Sequence, residues 1–164
     1  MTEKRQGFLL QRQVEWLKYQ PDAKQLIDLI EGNYEGSIIV APPGNMESDL
    51  PKLLNKHEVF DQNEWDIEYM KMEAGLCHHN SSEIWSKLYY QLEAEGKLDE
   101  LHTFICTGYY LVKDDDGMLI WRQHTWLVDQ ETHVIRDPSD TSAIRYLGYV
   151  MNMEECNEFV ECNI

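Results

Sequence analysis

Basic side chains are scarce: 14 Lys and Arg stand against 30 Asp and Glu in 164 residues, a formal net charge of −16 at pH 7. A nucleic acid backbone is held by a basic surface, so nucleic acid is set aside as a partner. Cysteine is sparse too. Cys77, Cys106, Cys156 and Cys162 include no CxxC and no regular spacing, which argues against a zinc ribbon or a disulfide framework and makes the reduced cytosol the expected compartment. Long apolar runs are missing. Phe8-Leu9-Leu10 gives way at once to Gln11-Arg12-Gln13, too short for a signal peptide or a membrane span, so a cytoplasmic protein with no membrane partner is expected. No repeat, low-complexity stretch or dividing linker is found. What remains is the composition of a folded chain, 43% hydrophobic and 27% charged, expected to form a single domain over 1–164.

Hydrophobic spacing predicts helices over 8–19 and 22–31, the second closed by Gly32-Asn33. A short strand over 37–41, a loop at Pro42-Pro43-Gly44-Asn45, a weak helix over 49–56 and a strand over 65–72 follow. From Cys77 the period changes. Cys77, Ser81, Ile84, Leu88 and Leu92 recur in steps of four and three and mark one face of a helix that stops at Gly96. Strands are predicted over 104–112, 118–128, 132–137 and 144–151, then a short helix over 153–160. The expected class is α+β: residues 1–74 form a helical part covering the core, and residues 75–164 pack the helix bearing Cys77 on an antiparallel β-sheet.

Three residues in this layout have complementary chemistry. Helix N-termini favour the thiolate because unpaired backbone N–H groups and the helix dipole stabilise negative charge, and Cys77 sits in the first turn. A base is still required. His124 shares a strand face with Ile120, Trp126 and Val128 and is directed inward. A two-residue loop at 130–131 or a four-residue loop at 129–132 would set Asp137 directly opposite His124, with Cβ atoms on the order of 5 Å apart. That carboxylate would orient the imidazole and stabilise its charged form. Pro138 biases Asp137 toward an extended backbone.

Gly75-Leu76-Cys77 opening a helix, His124-Thr125-Trp126 in a strand and Asp137-Pro138-Ser139 closing the next strand resemble the transglutaminase-like branch of the papain-like cysteine hydrolases. The likeness spans roughly residues 75–151. It implies a papain-like or transglutaminase-like core and a Cys77, His124, Asp137 triad that acts on a glutamine side chain or peptide amide through a thioester, without a cofactor. Its partner would be a protein or peptide substrate. Trp126, two residues from His124 on the same strand face, is expected to wall the site. Asn80, one turn after Cys77, is read as a local hydrogen-bonding residue near the helix start, with substrate contact as its alternative role, and Tyr69 is a further candidate contact. Many relatives have Trp after the cysteine where this chain has His78. No Gln precedes Cys77 closely, so the backbone N–H of Cys77 supplies one oxyanion donor and the second stays unassigned.

Simpler readings exist for each residue. A cysteine at a helix start is often a small buried hydrophobe, and Asp137 before Pro138 also suits a turn, with Asp140 as a competing orienter. Cys77-His78-His79 with His102 or His133 suggests a metal, but successive helical residues point about 100° apart, so no metal is expected. The alternative to an amide hydrolase or acyltransferase is a non-catalytic acidic binding or inhibitor protein on the same fold.

Overall fold

A computed structural model describes residues 2–41, 46–139 and 142–164, so the loop expected at 42–45 and Asp140 lie outside the described residues. The element order is α1 (Thr2–Tyr19), α2 (Ala23–Glu31), β1 (Ile38–Ile39), α3 (Met46–Lys56), β2 (His57–Asp61), β3 (Asp66–Tyr69), α4 (Cys77–Ala94), a short 3-10 turn (Leu98–Glu100), β4 (Thr103–Lys113), β5 (Leu119–Asp129), β6 (Val134–Asp137), β7 (Arg145–Val150) and α5 (Met153–Asn163). The chain is mixed helix and sheet, with five helices and a mostly antiparallel sheet among the described residues, in keeping with an α+β class. Strands follow the order β2-β7-β4-β5-β6-β3, and β1 pairs with β5.

The chain resolves into two compact units, each assembled from separate stretches: Met1–Val59, Gly108–Gln123 and Ser142–Tyr149 in one, Phe60–Thr107, His124–Thr141 and Val150–Ile164 in the other. In the first, α2 buries Ala23, Leu26, Ile27 and Ile30, spaced to lie on one helix face. Gln13 on α1 donates through Nε2 to Glu31 Oε2 (2.7 Å) and to the Ile39 carbonyl (3.2 Å), which ties two helices to β1. That strand runs parallel to β5, Ile38 level with Ile120, and Trp121 Nε1 donates to Ser37 Oγ at 2.8 Å. On β4, a Cβ at Gly108 would fall 2.3 Å from the Leu147 carbonyl oxygen, so only glycine permits that approach.

In the second unit α4 lies against β4 and β5. Ser81 Oγ donates to the Thr125 carbonyl (3.3 Å) and Trp85 Nε1 to the Thr103 carbonyl (2.9 Å). The buried residues of α4 are Asn80, Ser81, Ser82 and Trp85, so its inner face is rotated from the expected stripe, and Ile84, Leu88 and Leu92 are only half-buried. The indole of Trp85 and the hydroxyl of Ser81 reach strand carbonyls, and that pairing outweighs the aliphatic pattern. A capping box between Asn152 and Glu155 starts α5, whose Cys156 Sγ accepts from the Ile105 amide at 3.4 Å.

Two elements depart from the expected pattern. Residues 57–61 form β2, which had no strand prediction, and the strand expected over 65–72 shortens to β3, paired in parallel with β6 so that Tyr69 is level with Asp137. Beyond β3 the pairing continues irregularly: Met70 N donates to Asp137 O (2.7 Å) and Met72 N to Pro138 O (2.8 Å).

Candidate active site

The approach to Cys77 is fixed by the segment before it. The backbone amides of residues 70–72 donate to the carbonyls of Asp137, Ser139 and Pro138, Gly75 adopts φ +80°, a conformation that strongly favours glycine, and Asn80 Nδ2 reaches back to the Glu73 carbonyl at 3.0 Å. Helix α4 then begins at Cys77 with Leu76 as its N-cap and no side-chain cap bond. Leucine has no acceptor for first-turn amides, so these point out of the helix unclaimed by a cap. The thiol of Cys77 is half-buried, Cys106 and Cys156 are buried, and Cys162 is exposed.

His124 is 4% exposed and Asp137 0%, and His124 Nε2 stands 2.7 Å from Asp137 Oδ1. The same oxygen accepts from the Ser139 amide (2.9 Å) and from Ser139 Oγ (2.8 Å). The carboxylate is thus held from its own turn while it holds the imidazole. With Nε2 engaged, Nδ1 is the nitrogen left for the hydrogen bond between His124 and Cys77.

The expected register is corrected. The β5–β6 hairpin pairs Leu127 with Arg136 and Asp129 with Val134, so the loop is 130–133 rather than 130–131 or 129–132. His133 takes φ +57° within it. Continued outward, this register puts Asp137 level with Trp126, and His124 reaches it diagonally. The displacement is an even number of residues, so both side chains keep the same face of the ladder, and diagonal neighbours remain within reach of a long side chain.

Burial by itself raises the Cys77 thiol and lowers the His124 imidazole, because it disfavours whichever form is charged. In both residues the partners outweigh it. Hydrogen bonds and charge from His124 and His78 bring Cys77 down to about 6. Asp137, followed by Cys77, lifts His124 to about 9. Both shifts favour the thiolate–imidazolium form of the pair. Cys156, buried without such partners, is pushed up to about 12.

Trp126 is fully buried, and its ring stacks on that of His124 with centroids 6.0 Å apart, while Phe60 meets it edge-on at 6.2 Å. These rings form an apolar wall behind the imidazole. Asn80 is buried with its amide given to Glu73, a bond that shapes the turn before the helix. Tyr69 is half-buried at the end of β3, beside Asp137. His78 and Ser139, which had no assigned role, join the constellation. The sequence signal for Ser139 was Asp-Pro-Ser, which suits a side-chain-stabilised turn; for His78 it was only its place next to Cys77.

His79 turns away, with Nδ1 3.0 Å from the Asn163 carbonyl and Nε2 3.6 Å from Glu83. Among the described residues no group of three or more His, Cys, Asp or Glu side chains is placed to hold a metal ion, and no helix is long and apolar enough to cross a membrane. No family model, curated protein or solved structure matches this chain.

Proposed function

We propose that the protein is a thiol-dependent amide hydrolase or acyltransferase, of peptidase, glutamine deamidase or transglutaminase type, on a papain-like or transglutaminase-like core. The reading is carried by one observation: the half-buried Cys77 thiol is hydrogen-bonded to an imidazole whose other nitrogen is held 2.7 Å from a buried carboxylate. The docking of α4 on β4 and β5 and the order Cys, His, Asp along the chain support the core assignment.

The chemistry follows from the ionisation state. The Cys77 thiolate attacks the carbonyl carbon of a glutamine side chain or peptide amide, and the oxygen that becomes negative is met by the Cys77 backbone N–H at the uncapped start of α4. His124 passes its proton to the departing nitrogen as the C–N bond breaks, leaving a thioester. Neutral His124 then takes a proton from water or an amine, the new bond to carbon forms, and the C–S electron pair returns to sulfur. Asp137 holds the ring orientation through both halves and stays ionised.

The test is incubation with a library of glutamine-containing peptides, read by mass spectrometry for new termini, for conversion of Gln to Glu and for acyl adducts on Cys77. Turnover or an adduct that disappears in Cys77→Ala supports the reading. A folded wild-type protein giving neither overturns it in favour of a non-catalytic binding protein.

A further inference from the structure

Cys77 has a second imidazole beside it. His78 Nδ1 lies 3.5 Å from Cys77 Sγ and 2.9 Å from Thr125 Oγ1. Thr125 Oγ1 is in turn 2.9 Å from Thr107 Oγ1, which donates to the His124 carbonyl at 3.4 Å. The direction of this chain can be worked out from proton supply. A hydroxyl has one proton. Thr107 gives its proton to the carbonyl, so it accepts from Thr125, and Thr125, with its own proton used, accepts from His78. The ring of His78 therefore carries its hydrogen on Nδ1, the nitrogen within reach of sulfur. Phe159 of α5 packs against the same ring with centroids 5.3 Å apart, which holds its plane.

We propose that His78 shares its single Nδ1–H between Thr125 Oγ1 and the Cys77 thiolate in a three-centre hydrogen bond, its tautomer selected by the Thr125–Thr107 hydroxyl pair, and that it divides the work at sulfur with His124. This inference rests on the hydrolase or acyltransferase reading and adds a residue to it. His124 moves protons; His78 keeps its own. When the thioester breaks and the electron pair returns to sulfur, the Nδ1–H of His78 stabilises the departing thiolate while His124 is occupied with the proton of water or amine. The titratable groups facing the sulfur are His124 from β5 and His78 from its own helix, and what α5 sets against His78 is the uncharged ring of Phe159.

The experiment is a pH titration of thiolate absorbance near 240 nm, corrected with Cys77→Ala, in wild type, His78→Phe and Thr125→Val, with thermal melting as the check on folding. Phenylalanine keeps a ring against Phe159 and removes the donor. Valine keeps His78 and removes the group that selects its tautomer. The inference expects the midpoint to rise by about one unit, a tenfold change in thiolate equilibrium, in His78→Phe and by a smaller amount in Thr125→Val. If His78→Phe does not fold, the rise in Thr125→Val decides. A wild-type midpoint near 6 that neither substitution moves overturns this inference and leaves the triad standing, whereas a wild-type midpoint in the ordinary thiol range overturns both.

Discussion

His124 reaches Asp137 on the diagonal of the β5–β6 ladder, Nε2 2.7 Å from Oδ1, although the register extended from Leu127 and Arg136 sets Asp137 level with Trp126. The carboxylate thus meets the edge of the imidazole, and the Trp126 ring stacks on its face. A charge so close, in a site sealed from water, acts with little screening.

Asp137→Asn tests the charge separately from the geometry. An amide keeps the size and a hydrogen-bonding atom near Nε2 but removes the negative charge that lifts His124. With that charge gone, burial of the imidazole prevails, and the alkaline limb of the activity profile should move from about 9 toward neutrality or below. Turnover at the optimum should fall on the order of a thousandfold or more, as expected when the base is poorly poised. The check is kcat/KM against pH with a substrate found by the peptide screen.

The unsubstituted protein should show a bell-shaped profile. Cys77 is lowered to about 6, so the thiolate is lost as pH falls through that value. His124 is raised to about 9, so the imidazolium that protonates the leaving nitrogen is lost as pH rises through that one. Activity should therefore be greatest between the two, and kcat/KM across pH 5–10 measures both limbs.

Ser139→Ala removes one of the bonds that hold the carboxylate and leaves the Ser139 backbone N–H in place. Stability should fall by about 1 kcal/mol, the usual worth of a single hydrogen bond, and kcat should fall several-fold while KM is little changed. Denaturant unfolding and steady-state kinetics separate these effects.

Gly108→Ala addresses the frame without touching the site residues. A Cβ placed 2.3 Å from the Leu147 oxygen forces β4 and β7 apart, and overpacking of this kind costs about 1–3 kcal/mol or more. The melting temperature should drop by several degrees, measurable by circular dichroism.

The parts of the fold readable from the sequence are those with local signals. The start of α4 at Cys77, the strands over 103–113 and 119–129 and the final helix all follow from periodicity and turn residues, and the observed bounds fall within a few residues of expectation. Parallel partners left no such mark. β1 with β5 and β3 with β6 pair across long separations, and β3 alternates exposed and half-buried residues without an apolar face. The hairpin register slipped because the loop ends on His133 in a left-handed conformation, which a non-glycine residue does not advertise. Face assignment survived because the slip was even. The partnership of His78 with Thr125 joins residues on a helix and a distant strand, so composition and spacing could not show it.

The central claim is that Cys77 is a stabilised thiolate in the folded protein, and site-resolved alkylation measures it most directly. Native protein is treated with iodoacetamide at pH 6–7 and the four cysteines are followed by peptide mapping over time. The account predicts that Cys77, although only half-exposed, is modified well ahead of the exposed Cys162, and that His124→Ala removes most of that lead. Slow labelling of Cys77, no faster than that of Cys162, would contradict it.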